Sequence, residues 1–384
     1  MEYVKLGDLC NESSGLIAAV PDEIIDYVDI SSVDNAAKRV TGYESIRYAD
    51  APSRARRQAE KGCIIVSTVR PNLNAVAMCD FDVPHRLVVS TGFCVLSCKA
   101  EVDPDYVFLF CQSPKFIETL VKQATGASYP AVNDTIIRSV MLPAYSYAEQ
   151  TEIASRLKAL KKIIESRQRQ LRTLDTLIKA RFVEMFGDPV ANPKGWEKRA
   201  LSDEAEIRIG PFGSLLHKED YITGGHALIN PSHIVDGKIS PDTDLTLTDE
   251  KYEELAPYHL IEGDVVMGRR GEMGRCAVVD RPGLLCGTGS LLIRTKGDLS
   301  ADYIQKLISF PSFKRTIEDM AVGQTMPNLN VPIVSAFQII KPPKAVQEQY
   351  YAFVSQVDKS KAAVQAALDK TQVLFDSLMQ EYFG

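Results

Sequence analysis

Arginine gathers at three places in this chain, each in a setting where a planar cation could meet a ligand. Arg54, Arg56 and Arg57 fall in "SRARRQ", and Arg269, Arg270 and Arg275 in "GRRGEMGR". Arg70 opens "RPNLN", which adds Asn72 and Asn74. A guanidinium donates two parallel hydrogen bonds to guanine, and an asparagine amide can bond adenine in a similar way. Arginines also hold phosphates, which positions a protein on a duplex without reading sequence. Base contacts suit Arg70, Asn72, Asn74, Arg269 and Arg270, with Arg275 in the same cluster; phosphate contacts suit Arg54, Arg56 and Arg57. "GPFGSLLHKEDY" (210 to 221) offers another such loop through His217 and Lys218. All of these side chains could equally be solvated charges at hairpin tips.

Patterns for covalent chemistry are missing. "GRRGEMGR" lacks the Lys-Ser/Thr that a phosphate-binding loop needs after its last glycine, and "CGTGSLL" lacks the strand-then-helix setting of a dinucleotide site. No GxSxG or HExxH occurs, and His85, His217, His226, His233 and His259 have no ligand spacing. "NPSH" (230 to 233) falls short of an Asn-Pro-Pro-aromatic methyltransferase motif. The eight cysteines sit mostly among apolar residues without a zinc pattern, so buried free thiols are expected and no metal. The chain is not expected to be an enzyme by itself.

Bulk properties fit this picture. A chain of 384 residues suggests two to four domains. Its 45% hydrophobic and 24% charged content is ordinary for a globular protein. No apolar run approaches the roughly 18 residues needed to cross a bilayer, so no membrane is expected. The start, "MEYVKLGDLC", does not read as a signal peptide, which points to the cytoplasm. The net charge of −6 argues against a uniformly basic binder and leaves local patches to meet phosphates.

What must position the arginines emerges from a repeat. "EKGCIIVSTVRPNLNAVAM" (60 to 78) resembles "IEGDVVMGRRGEMGRCAVV" (261 to 279), an offset of 201. "STGFCVLSC" (90) resembles "GTGSLLIRT" (287), "SPKFIETLVKQATG" (113) resembles "FPSFKRTIEDMAVG" (310), and "EMFG" (184) resembles "EYFG" (381), each offset by 197. A proline followed six residues later by Glu-Gln also recurs, as Pro143 with Glu149-Gln150 and Pro342 with Glu348-Gln349. Ordered matches at nearly constant offset indicate a chain built twice over. Gly62 and Gly263 read as turn glycines before buried strands. Each half is expected to be a mixed domain of short strands and a few helices, with "FGDPVANPKGW" (186 to 196) as the joint.

Each copy ends in a long stretch free of proline and glycine. Ile153, Leu157, Leu160, Ile164, Leu171, Leu174 and Ile178 form a coiled-coil seam with a polar layer at Arg167. Phe353, Val357, Val364, Ala367, Leu374 and Leu378, with Ser360 and Thr371 between them, form the second when the first is shifted by 200. Helices of about 55 Å with one apolar stripe need a partner. The other copy is the nearest; folding back on their own domains is the alternative.

The ordered set of features resembles the specificity (S) subunits of Type I restriction–modification systems across essentially the whole chain. The resemblance rests on "GCIIVSTVRPN", "GDVVMGRRGEMGR", "TMPNLN" (325 to 330), the Glu-Gln helix starts and the repeat. It implies an α+β fold with two target recognition domains (1–145 and 189–343), each followed by a spacer helix (146–188 and 344–384). The helices would pair as an antiparallel coiled coil with pseudo-twofold symmetry. Implied partners are double-stranded DNA with a split site, two adenine methyltransferase subunits and restriction subunits. S-adenosylmethionine, ATP and Mg would belong to those partners and no cofactor to this chain. Glu149, Gln150, Lys158, Lys161, Lys162, Glu348 and Gln349 would lie at the subunit interface. One departure is "ASYPAVN" (127 to 133) in the first copy, where the second has "QTMPNLN". A protein-binding assembly scaffold, or a hydrolase or transferase with a diffuse site, remain the competing readings.

Overall fold

Gly62 and Gly263 both adopt φ +89, a conformation that L side chains resist, and each turns the chain into a fully buried strand. The computed structural model describes residues 2–12, 15–18, 20–212, 215–321 and 328–384. By contacts the chain divides into unit 1, Met1–Leu171 with Ala363–Gly384, and unit 2, Arg172–Ala362. The first copy runs β1 (Tyr3–Lys5), β2 (Ile24–Val28), β3 (Val33–Asp34), β4 (Arg39–Val40), β5 (Glu44–Arg47), β6 (Ala55–Gln58), β7 (Ile64–Ser67), β8 (Val76–Met78), β9 (Arg86–Ser90) and β10 (Phe93–Leu96). Then follow α1 (Pro104–Phe110), α2 (Pro114–Gln123), α3 (Asp134–Ser139), β11 (Met141–Pro143) and α4 (Tyr147–Phe186). Its sheets are β10-β7-β8-β4-β3, β5-β2-β9-β6 and the pair β1-β11.

The second copy runs β12 (Glu197–Ala200), α5 (Leu201–Glu204), β13 (Ala205–Ile209), β14 (His226–Ile229), β15 (Ile234–Val235), β16 (Lys238–Ile239), β17 (Thr246–Leu247), α6 (Asp249–Glu254), β18 (His259–Leu260), β19 (Val265–Gly268), β20 (Cys276–Val278), β21 (Leu284–Cys286) and β22 (Ser290–Thr295). It closes with α7 (Ala301–Ile308), α8 (Pro311–Met320), α9 (Val331–Ser335), β23 (Gln338–Lys341) and α10 (Lys344–Phe383). Its sheets are β13-β22-β19-β20, β17-β14-β21-β18, β15-β16 and β12-β23. From α2 onward each element starts 197 residues after its counterpart: Pro114 and Pro311, Asp134 and Val331, Met141 and Gln338, Tyr147 and Lys344.

Side-chain hydrogen bonds repeat with the same offset. Asn133 and Asn330 each cap a helix by accepting from the amides of Ile136 and Ile333, both at 2.9 Å. The hydroxyls of Tyr106 and Tyr303 donate to the carbonyls of Pro143 and Ile340. Gln150 accepts from the Asp103 amide at 3.0 Å and donates to the Tyr145 carbonyl at 2.8 Å; Gln347 does the same with Ser300 and Pro342 at 3.3 and 2.9 Å. The expected pairing of Gln150 with Gln349 is therefore two residues out of register. The glutamine is kept because an unpaired buried amide or carbonyl costs about 1–3 kcal/mol, and the exposed Glu348 and Gln349 carry no such constraint.

Both long helices have 40 residues, about 60 Å at the usual rise. Every residue of the first expected seam is buried or half-buried. Within unit 1, Arg167 donates to the Ala367 carbonyl and the Thr371 hydroxyl, which makes the polar layer, and Arg156 reaches the Tyr382 hydroxyl at 3.3 Å. Within unit 2, Lys361 pairs with Asp175 at 2.5 Å. The second seam needs correcting, since Leu374 is 49% exposed and Ser360 is also exposed. The other six expected positions, Phe353, Val357, Val364, Ala367, Thr371 and Leu378, are buried or half-buried, and the buried side extends to Tyr350, Val354, Leu368, Phe375 and Met379. Shifting by 200 and not 197 adds three residues, which rotates a helical stripe by about 60°.

The "EMFG" and "EYFG" endings have a shared task. In unit 2 the Phe186 ring lies 5.1 Å from Tyr303 and 5.2 Å from Tyr350; in unit 1 the Phe383 ring lies 5.3 Å from Tyr106 and 5.8 Å from Phe110. Phe383→Ala is expected to cost about 3–5 kcal/mol and to lower amide-exchange protection in α1 and β11. Unchanged protection there would show that the ring does not complete that core.

Candidate nucleic-acid interface

The loop from β7 to β8 is bracketed by two non-glycine residues in the left-handed conformation, Arg70 (φ 49) and Asn74 (φ 46), with a tight turn at Pro71–Leu73 between them. Asn74 is only 6% exposed. Its amide donates to the Cys111 carbonyl at 2.9 Å, and Lys38 Nζ donates to its carbonyl and side-chain oxygens at 2.6 and 2.7 Å. This removes Asn74 from the expected base-reading set: it anchors the loop from inside. Arg70, Asn72 and Leu73 remain exposed. The Arg70 amide donates to the Pro130 carbonyl at 2.7 Å, and its guanidinium lies 4.9 Å over the Tyr129 ring. Tyr129 was not among the expected site residues, because nothing in "ASYPAVN" places it beside an arginine 59 positions away (129 − 70).

In unit 2 the corresponding loop starts with the same backbone contacts but different side chains, and is one residue shorter. The Arg269 amide donates to the Gly289 carbonyl as the Thr68 amide donates to Gly92, and Arg270 bridges Asn328 as Val69 bridges Ala131. Arg269 and Arg270 thus occupy the places of Thr68 and Val69, while Gly271 (φ +77) takes the place of Arg70. Arg269 is half-buried and donates to the Asn328 side-chain oxygen at 3.0 Å. Burial, with a smaller push from Arg270, draws its pKa down from the usual arginine range. Arg270 is exposed. Residues 322–327, which include part of the "TMPNLN" motif, lie outside the described residues.

The remaining expected arginines are engaged within the fold. Arg275 is held by Glu272 at 2.5 Å and by the Pro231 carbonyl at 3.2 Å; Glu272 also binds Lys314. These bonds, from Arg275 first, pull the Glu272 carboxyl below its usual range. Arg54 pairs with Asp29 at 2.6 Å, Arg57 pairs with Asp134, and Arg56 lies 4.7 Å over the Tyr48 ring. His217 and Lys218 are exposed at a short turn, where the His217 amide donates to Asp220 at 2.6 Å. His233 of "NPSH" is buried against the Leu228 carbonyl.

The expected interface residues on the helices also divide. Glu149 accepts from the Ser146 amide and hydroxyl at 2.8 and 2.7 Å, a capping box that starts α4 and holds its carboxyl below the usual range. Gln150 is buried and so is not surface for another subunit. Lys158 pairs with Asp105 at 2.5 Å, and Lys161 is half-buried over Phe108. Lys162, Glu348 and Gln349 are exposed. Among the described residues no group of His, Cys, Asp and Glu could hold a metal ion, and no helix is long and apolar enough to cross a membrane. All eight cysteines are free, and burial pushes the Cys79 and Cys94 thiols up to about 12.

Comparison with known proteins finds relatives in restriction–modification systems. Residues 193–370 match the model of the Type I restriction modification DNA specificity domain. Over 348 residues the chain is 23% identical to the MjaIX specificity subunit of Methanocaldococcus jannaschii, covering 83% of this chain and 78% of that one. The chain resembles the specificity (S) subunits of Type I restriction–modification systems, and its second copy matches their DNA specificity domain. The HindI specificity subunit of Haemophilus influenzae is 24% identical over 193 residues, 50% of this chain and 41% of that one. A chain from a type I R-M system solved for its assembly and conformational transition superposes with TM-score 0.68 at 22% identity, covering 100% of this chain and 97% of that one. The S subunit of M. genitalium gives 0.56 at 14% identity, covering 100% and 96%. The family match lies on the second copy. The first copy has equivalents of its β12-β23 pair (β1-β11), its β17-β14-β21-β18 sheet (β5-β2-β9-β6) and its closing helices, but among the described residues it lacks a counterpart of β13 and α6.

Two expectations test the loop anchor. Asn74→Ala should cost about 1–3 kcal/mol, because it leaves the Cys111 carbonyl without its donor and removes one of the two acceptors of Lys38; an unchanged denaturation midpoint would deny the anchor. Burial, then repulsion from Lys161, lowers the Lys38 pKa to about 8 from the ordinary 10.5, against a weaker pull upward from Asp34. Between those values the unfolded chain binds the extra proton, so Lys38's contribution to stability should rise as pH climbs from about 8 to 10.5. Lys38→Met should lose that slope in denaturation curves taken across the window; an identical slope in both proteins would refute the assignment.

Proposed function

We propose that this chain is the S subunit, the non-catalytic part of a Type I restriction–modification complex that selects its DNA, with residues 1–145 reading one half of a split site and 189–343 the other. The observation that carries this reading is the loop after β7 and after β19. Both loops leave their strands through the same backbone contacts, and the first then presents exposed Arg70 and Asn72 while the second presents half-buried Arg269 and exposed Arg270. Loops that start alike and carry different donors suit the reading of two different half-sites. The likeness in family and fold supports the same reading.

The helices 146–188 and 344–384 are proposed to pair as an antiparallel coiled coil with pseudo-twofold symmetry and to set the distance between half-sites. Support comes from the order of contacts within unit 1, where Arg156 meets Tyr382 while Arg167 meets Ala367 and Thr371. Elements reading one face of DNA repeat about every 34–36 Å, within reach of helices of about 60 Å. Their exposed faces, including Lys158, Lys162, Glu348 and Gln349, would dock two adenine methyltransferase subunits, which restriction subunits join. S-adenosylmethionine, ATP and Mg would act on those partners, in the cytoplasm.

The test is to purify the chain with its modification subunits and measure binding to duplexes across a salt series. Affinity should fall steeply with salt as counterions are released; no DNA affinity in the assembled complex would favour a protein scaffold. Replacing Arg269 and Arg270 by Ala should remove discrimination at one half-site only, about 1–3 kcal/mol per base contact, and unchanged preference would end that assignment. Deleting seven residues between Ile153 and Ile178, and the seven that match them in α10, should shorten the preferred spacer while keeping both half-sites. A spacer of unchanged length would rule out the helices as the ruler.

A further inference from the structure

Tyr129 is 68% exposed, more than any other aromatic side chain among the described residues. A single exposed tyrosine on a loose loop would need no explanation, but this one sits on fixed backbone. Thr125 and Ala131 exchange amide–carbonyl bonds at 3.0 and 2.8 Å, the Arg70 amide holds Pro130, and the Val132 amide donates to Thr68 at 2.8 Å. Leu73, 48% exposed, belongs to the turn anchored by Asn74, and its amide donates to the Arg70 carbonyl at 2.9 Å. Cation, ring and aliphatic side chain are thus presented together on a braced tip.

The partner chosen for Arg70 is informative. Arg54, Arg57 and Arg275 each face a carboxylate, which orients a guanidinium but cancels its charge. Arg70 makes no ion pair among the described residues; its neighbour is the Tyr129 ring, 4.9 Å away. A ring face orients the plane of the cation through its quadrupole and leaves both the charge and the outward N–H groups available. The ring itself can stack on a base or sit against a base step.

We propose that Tyr129 is a specificity-determining residue of the first half. It holds the Arg70 guanidinium in a donating pose while remaining uncompensated by any carboxylate, and its ring packs on the DNA beside the base that Arg70 reads. This rests on the DNA-reading function proposed above.

The experiment uses the complex with its modification subunits and competition among duplexes carrying single base changes in each half-site. Tyr129→Ala and Arg70→Ala should lower discrimination at the same half-site by about five- to hundredfold, leaving the other half-site and complex assembly unaltered. Tyr129→Phe should keep it, because the ring remains. The double variant should fall well short of the product of the two losses, since both act through one contact. Full discrimination in Tyr129→Ala, or equal loss at both half-sites, would overturn the proposal while the DNA-reading function stands. A wild-type complex with no base preference in either half would overturn both.

Discussion

The fold depends on two phenylalanines at the far ends of its long helices. Phe186, the last residue of the first copy's helix, is buried against Tyr303 and Tyr350 in unit 2, and Phe383 is buried against Tyr106 and Phe110 in unit 1. Each unit therefore includes helix from the other copy: Ala363–Gly384 belongs with Met1–Leu171. A helix of 40 residues that is polar on most of its faces gains little stability from propensity alone. Fixing its tip in a core removes the freedom of the last turns and makes the two copies interdependent. The duplicated sequence is thus more than two beads on a string, because neither copy alone supplies all the side chains of a unit.

What is repeated and what varies follows from burial. Tyr106 with Tyr303, and Gln150 with Gln347, are buried side chains that keep equivalent partners at a constant offset, since each satisfies backbone groups of the interior. The loops after β7 and β19 also start on equivalent backbone contacts, the Thr68–Gly92 and Arg269–Gly289 bonds. Their exposed side chains are released from that constraint, and there the copies diverge. A scaffold that fixes backbone while freeing outward side chains is suited to reading unlike half-sites with like domains.

The same distinction explains what could be read in advance. Turn glycines, buried strands and the first helical seam are local signals carried by the residues concerned, and they were legible, as was the polar layer at Arg167. The second seam missed at Ser360 and Leu374 because the repeat offset changes along the chain, from 201 at the arginine loop to 197 beyond it, and a three-residue error turns a helix by about 60°. The Glu-Gln phrase misled for a related reason. Glu149 caps a helix while Gln150 braces a core, and only the glutamine's task recurs, at Gln347 and without the glutamate before it. Asn74 looked like a reader because its amide is suited to adenine, yet the contacts that bury it come from Lys38 and Cys111, 36 and 37 positions away. Ion pairs such as Arg57–Asp134 are equally invisible in a linear reading.

Those ion pairs also bear on how an acidic chain can engage a polyanion. With 50 acidic residues against 44 Lys and Arg, an arginine's default fate is a carboxylate neighbour, as at Arg54, Arg57 and Arg275. Arg70, Arg269 and Arg270 make no ion pair among the described residues, and the first two are steered by neutral groups: the Tyr129 ring and the Asn328 amide oxygen. A neutral holder reduces the entropy lost when a long side chain is immobilised on a ligand, and it does so without neutralising the charge the ligand must meet. The two copies reach this with unrelated side chains at non-equivalent positions of one loop. Net charge is therefore a poor guide to such a protein, because the decisive quantity is which cations the fold leaves uncompensated.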